Sequence, residues 1–277
     1  MLQYGKLVML MAALTALLVV MGGYFGGQQG AIIAFVLAGL GNFWAYWKSD
    51  QAVLKMYKAK VIERHQAPQL FDMVDRLRRR ADLPMPTVAV VPSEQPNAFA
   101  TGRNPENAVV AVTAGLMQLV NRDELEGVVA HELAHIQHRD MLVSTVAATI
   151  AGAITLLSYL VMFFGGRDNN NPIALLAMII VAPLAATVIR MAISRANEFK
   201  ADRTAGELTG NPVALASALQ KLEAYAQRRP MQVNEAAAQL AIVNPLGSMS
   251  RGMMNLMRTH PATEERVAAL QEQARGA

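Results

Sequence analysis

The 277-residue chain has no cysteine and only five histidines. Thiolate-held metal centres are thereby excluded, and any transition metal must be held by histidine, aspartate or glutamate. Charge is also scarce: 17% of residues are charged against 53% hydrophobic, and mean hydropathy is +0.24. That is too apolar for an ordinary soluble protein of this size. The remaining charges lean basic, with a formal net charge of +4 and a pI near 9.5. They exclude a nucleic-acid surface, because the basic clusters sit beside apolar runs instead of alternating with aromatics. The composition points to a membrane protein, with the lipid bilayer as its first expected partner.

From Leu7 to Trp47 no residue is charged, and the run is interrupted only by Gly26-Gly27-Gln28-Gln29-Gly30. Divided there, it yields two segments of roughly 20 residues, each long enough to cross a bilayer. Residues 1–47 are therefore expected to form a transmembrane hairpin with spans at about 7–25 and 31–47. A signal peptide is the alternative, since Lys6 precedes the apolar core, but no small-residue cleavage pattern ends that core and a second apolar span follows at once. Trp44, Tyr46 and Trp47 precede Lys48, Lys55, Lys58, Lys60 and Arg64, the pattern of a span leaving into the cytoplasmic interface. Two further charge-free runs, 141–164 and 173–189, flank the loop Gly165 to Pro172, and Arg190 and Arg195 follow. They read as third and fourth spans that place both termini, and residues 48–140 and 190–277, on the cytoplasmic side.

Residues 48–140 read as a mixed α/β part. Leu70, Met73, Val74 and Leu77 have helical spacing, ended by Pro84 and Pro86; Arg78-Arg79-Arg80 reads as a solvated face, and His65 as a surface residue. Short strands follow at Thr87 to Val91, Asn97 to Thr101 and Ala108 to Thr113, the last two joined by Gly-Arg-Asn-Pro-Glu-Asn. Asn121 with Glu124 forms a capping-box pattern that opens the next helix. No glycine or proline lies between Val128 and Ala151, so this helix is expected to run on into the third span.

That helix carries His131-Glu132-Leu133-Ala134-His135. Two histidines one turn apart converge on one cation, with Glu132 beside them, a zinc-hydrolase arrangement. The bland alternative is a helix that happens to carry these residues, yet its neighbours are apolar, and polar groups in packed surroundings need a partner. A catalytic tetrahedral site adds one more protein ligand and a water. His138 shares the His131 face but lies about 10 Å along the axis, a poor geometry for convergence. Glu198, in Ser194 to Asp202, is better placed and shares a helix face with Asp202, which then orients a ligand histidine. If His135 and Glu198 lie about 8 and 12 Å beyond the ends of spans three and four, both sets arrive at similar heights above the bilayer. The alternative for Glu198, Lys200 and Asp202 is a solvated helix.

Together with Asn-Ala-Phe-Ala-x-Gly at Asn97 to Gly102 and Thr259-His260-Pro261, these segments resemble the HtpX/Ste24-type membrane zinc metalloproteases. The short length and four expected spans resemble the HtpX branch. Ala262 stands where the family often has a second proline, and Arg139 replaces the glycine common before the family's aspartate, here Asp140.

The resemblance implies one Zn2+ per chain on His131, His135 and Glu198, with Glu132 as general base and Asp202 behind a ligand. Arg195 is expected to pair with a nearby carboxylate or with a lipid headgroup. His260 is implied as a donor to the developing oxyanion, although Pro261 opening a helix makes capping an equal account of it. Asn97, Ala98, Phe99 and Ala100 are implied as an edge strand that pairs with extended substrate; an interior strand is the alternative. Met249, Met253, Met254 and Met257 suit either core filling or contact with irregular apolar chains.

The expected fold is an α-helical membrane protein with a mixed α+β cytoplasmic zinc-protease domain, mostly helical with a small antiparallel sheet. By resemblance its role is the cleavage of misfolded or damaged membrane proteins in a bacterial inner membrane. A specific processing protease of the prenyl-protein type and a non-catalytic metal-binding scaffold are the alternatives.

Overall fold

The computed structural model describes residues 2–142, 195–228 and 261–276. The expected third and fourth spans, His260 and the Met249 to Met257 segment lie outside these residues.

Helix α1, Leu2–Met56, is broken at Gly26 (φ −126°, ψ 15°) and Gly27 (φ 57°, ψ −149°), a backbone conformation at Gly27 that only glycine adopts without strain. The break falls at the expected turn. The two limbs fold back on each other, since Asn42 Nδ2 donates to Thr15 Oγ1 at 2.9 Å. A Cβ built on Gly22 would lie 2.6 Å from that of Ala34, so glycine here permits the close backbone approach typical of helices packed in lipid. Ile32, Ile33, Phe35, Val36, Leu37 and Leu40 are exposed on the second limb. Among the described residues, Gly26–Lys48 is long and apolar enough to cross a bilayer by length and composition.

Past the apolar stretch, α1 runs on to meet a four-stranded sheet of β1 (Lys60–Val61), β2 (Thr87–Val91), β3 (Ala98–Thr101) and β4 (Val109–Thr113), in the order β1-β2-β4-β3. Val53 is buried there with Ala89, Val91, Phe99, Val109 and Ala111, and Leu54, Tyr57 and Ala59 pack around them. The other face carries α2 (Pro68–Arg80), whose Leu70, Met73, Val74 and Leu77 are buried as their spacing predicts.

The sheet is mixed, which corrects the antiparallel expectation. β1 pairs antiparallel with β2 and β3 antiparallel with β4, but β2 pairs parallel with β4 from Thr87↔Val109 to Val91↔Thr113. The physical reason is that β4, Val-Val-Ala-Val-Thr, is buried at every residue and takes the central place, where both faces are covered. It enters between β2 and β3, which leaves β3 outermost among the described strands. The turn from β3 into β4 relies on Gly102 (φ +135°), whose Cβ would lie 2.9 Å from Ala108 Cα, and on Asn104, whose side chain accepts from the Asn107 N–H of the 3₁₀ turn Pro105–Asn107.

After α3 (Ala114–Leu119), α4 spans Arg122–His138 and opens with the expected capping box. Glu124 Oε2 accepts from the Asn121 N–H at 2.8 Å and from Lys221 Nζ at 2.7 Å, and Oε1 accepts from Ser217 Oγ at 2.7 Å. One carboxylate thus caps α4 and ties it to α6 (Pro212–Arg228). A Cβ on Gly127 would lie 3.0 Å from the Leu215 N–H nitrogen, so glycine lets these helices close. Helices α5 (Arg195–Thr209) and α7 (Thr263–Gly276) complete the packing around α4 and α6.

One expectation about the α4 helix is corrected. Helix α4 does not run on towards a third span: Arg139 adopts the left-handed conformation (φ 58°, ψ 32°) and ends it, a cap usually made by glycine. The Arg78-Arg79-Arg80 face is solvated as expected, with Arg79 and Arg80 exposed; Arg78 and Arg79 pair with Asp75 at 2.7 Å, and Arg80 Nη1 donates to Leu208 O at 2.7 Å near the end of α5. His65 is on the surface, 75% exposed at its side chain.

Candidate metal centre

Helix α4 delivers His131 and His135 on one face, and α5 delivers Glu198 against them. The two Nε2 atoms are 3.1 Å apart. Glu198 places Oε2 3.7 Å from His131 Nε2 and Oε1 3.6 Å from His135 Nε2. Ligand atoms of these three residues all lie within 4.8 Å of one another. His138 stands outside this cluster, with Nε2 3.3 Å from Thr204 Oγ1, and burial, then Lys200, pushes it down to about 4.

Each histidine has a carboxylate behind it. His131 Nδ1 is 2.9 Å from Asp202 Oδ1, and His135 Nδ1 is 3.0 Å from Asp140 Oδ1. These contacts leave the Nε2 atoms to face each other, as in sites where an outer carboxylate fixes the ring of a metal-binding histidine. The Asp140 contact depends on Arg139: the left-handed residue turns the chain so that Asp140 folds back over the last turn of α4.

A buried guanidinium closes the set. Arg266 of α7, 1% exposed, grips Asp202 with two hydrogen bonds, Nε to Oδ2 at 2.8 Å and Nη2 to Oδ1 at 2.7 Å. Its Nη1 is 3.5 Å from Glu198 Oε2, and Nη2 is 3.5 Å from His131 Nε2. Burial raises the Asp202 carboxyl, but the charge and hydrogen bonds of Arg266 outweigh it and hold Asp202 below the usual carboxylate range.

The donor set fits a zinc ion. Two imidazole nitrogens and one carboxylate oxygen are a zinc-hydrolase complement that leaves a position for water. Charge agrees: Glu132, Asp140, Glu198 and Asp202 are 5%, 4%, 4% and 1% exposed, and one guanidinium cannot balance four buried carboxylates. Although burial disfavours a charged His135, the carboxylates Asp140, Glu198 and Glu132 push it up to about 10. The surplus of buried carboxylates is a demand for positive charge that a divalent cation would satisfy.

The family model for peptidase family M48 matches residues 64–274. The chain belongs to peptidase family M48. A protein described as "Protease HtpX homolog" from Gemmatimonas aurantiaca is 56% identical over 271 residues, covering 96% of this chain and 97% of the relative. One of the same description from Salinibacter ruber is 55% identical, covering 96% of each chain. Among solved structures, Ste24p of S. mikatae aligns with a TM-score of 0.55 at 17% identity, covering 94% of this chain and 62% of that one. At that identity the likeness is one of fold. As an M48 peptidase, the chain carries a His/His/Glu cluster suited to the metal of a metalloprotease.

The structure brings together His131, Glu132, His135, Glu198 and Asp202. It leaves Arg195 exposed at the start of described α5; the arginine that reaches the centre is Arg266, which sequence reasoning missed. Its signal was present: Arg266 occupies the same helical face as the buried Val267 and Leu270, an unusual place for a charge. Asn97, Ala98, Phe99 and Ala100 are buried, and among the described residues β3 is the outermost strand beside β4.

Proposed function

We propose that this chain is a zinc-dependent membrane endopeptidase that cleaves misfolded or damaged membrane proteins on the cytoplasmic side of a bacterial inner membrane. The convergence of His131, His135 and Glu198 beside buried Glu132 carries the reading. His131, His135 and Glu198 would hold one zinc ion. When bound, zinc supplies a Lewis acid that polarises a carbonyl and acidifies water.

The remaining work belongs to the chain. Glu132 accepts the proton of the attacking water and returns it to the leaving amine. Asp202 and Asp140 hold the two imidazoles in orientation, and Arg266 keeps Asp202 ionised. His260 is proposed as an oxyanion donor, and β3 as the strand that pairs with extended substrate. Basic residues after Lys48 support a cytoplasmic active site and a multi-pass chain with both termini inside.

The partners are unfolded polypeptides and lipid, not nucleic acid. Glu132 has no role in a silent scaffold, and that favours hydrolysis over mere metal binding. In detergent or proteoliposomes, the purified chain should cleave an unfolded test protein, lose that activity to a chelator, and regain it with zinc. Cleavage that survives complete metal removal would contradict the proposal.

A further inference from the structure

Arg103 stands where the apolar limb of α1 ends. β3 stops at Thr101, Gly102 turns the chain at φ +135°, and Arg103 follows with its Cζ 4.9 Å from the centroid of the Trp47 ring. That is within reach of a cation–π contact, which fixes the guanidinium beside the ring. Trp47 itself lies at the end of the apolar stretch Gly26–Lys48.

The charge of Arg103 is not used inside the fold. The residue is half-buried, and its Nη2 donates to the neutral Asn107 Oδ1 at 2.8 Å. Among the described residues no carboxylate pairs with it, Glu106 of the same turn included. A guanidinium carries five N–H donors and no acceptor, so most of its hydrogen-bonding capacity and all of its charge are left for a partner.

The surroundings name the chemistry of that partner. Phe43, Trp44 and Trp47 are exposed, and exposed Lys48 follows them, the composition of a segment at the level of lipid headgroups. The anionic acceptor at that level is the phosphate of a phospholipid. A guanidinium already held on an aromatic ring suits it, because its planar fork binds phosphate oxygens in pairs, which a lysine ammonium cannot do.

Resting on the proposed membrane reading, we infer that Arg103, with Trp47 and Lys48, forms a binding site for the headgroup of an anionic phospholipid. The site sits in the turn that joins β3 to β4, and α4 packs against these strands. A bound headgroup therefore ties the sheet, and through it the helix of His131 and His135, to the bilayer surface.

The two tryptophans of the chain are Trp44 and Trp47, so intrinsic fluorescence reports this place. The test puts the full chain into phosphatidylcholine vesicles doped with phosphatidylglycerol or phosphatidylcholine that carry the same brominated, quenching acyl chains. Half-maximal quenching should need about fivefold less of the brominated phosphatidylglycerol, the enrichment one basic residue ordinarily gives at an anionic surface. Arg103→Gln should abolish the preference, and Arg103→Lys, which keeps the charge without the fork, should recover little of it. Lys55→Gln removes an equal charge about 12 Å farther along α1 from Trp47 and should leave the preference intact.

Equal quenching by the two lipids in the parent overturns the site, as does a preference that survives Arg103→Gln. Equal losses in Arg103→Gln and Lys55→Gln overturn it in favour of diffuse surface charge, and full recovery by Arg103→Lys overturns the paired phosphate contact. If dissolved inorganic phosphate erases the preference, the site takes free anions and the assignment to lipid is wrong. If neither brominated lipid quenches, the tryptophans are not at a bilayer, and the membrane reading falls with this inference.

Discussion

Around His131 and His135 polar groups are buried, whereas along the second limb of α1 apolar groups are exposed. His131, Glu132, Asp140, Glu198, Asp202 and Arg266 are all 5% exposed or less, while Ile33, Phe35, Val36 and Leu37 are 52–62% exposed. Each region would be unfavourable alone in water, for opposite reasons. The centre is completed by mutual pairing and by the cation its excess carboxylates call for. The helix would be completed by a lipid phase able to accept its side chains. The second limb of α1 carries its apolar stretch directly onto the sheet at Val53 and Tyr57.

The largest break of this contrast is inside the centre. Arg266→Met should destabilise the protein by about 3–5 kcal/mol, the usual cost of leaving a buried charge partner alone, visible as a lower denaturant midpoint in the metal-free protein. Asp202→Asn combined with Arg266→Met should recover part of that loss, because the orphaned charge is then gone.

On the other side of the contrast, Val36→Arg should oppose insertion by about 2.5–3.5 kcal/mol, the penalty for arginine at the middle of a span. A membrane-insertion assay should show the chain failing to integrate, whereas serine at Val36 should be tolerated. If Val36→Arg inserts as well as the parent, the limb does not cross the bilayer.

The smallest effect sharpens the boundary where α4 ends. Arg139→Gly should stabilise the fold by about 0.5 kcal/mol, the relief of roughly 1 kcal/mol of left-handed strain less the added chain entropy. The Asp140 to His135 contact should be kept, so thermal unfolding should rise slightly with metal content unchanged.

What was legible in the sequence followed spacing along the chain. His131 and His135 share a face by helical period, and so do Glu198 and Asp202; the Asn121 and Glu124 cap and the break at Gly26 and Gly27 are likewise local. What was not legible came from distant partners. Arg266 meets Asp202 across 64 residues, and nothing in its own segment names that partner. The strands of the β2, β3 and β4 region were recognisable one by one, yet the insertion of β4 between the other two depends on which faces tertiary packing covers. Helix α4 had no glycine or proline to stop it; Arg139 stops it in a conformation that sequence preference disfavours, and the Asp140 contact with His135 follows from that turn.

The most direct test compares metal content and cleavage of an unfolded protein by the parent chain, Glu132→Gln and Glu198→Ala. The account predicts that Glu132→Gln keeps one zinc ion and loses cleavage by about 10²–10⁴-fold, the usual contribution of a general base, whereas Glu198→Ala loses both metal and cleavage. A Glu132→Gln variant that still cleaves at the parent's rate, or a Glu198→Ala variant that still holds zinc as tightly, would contradict it.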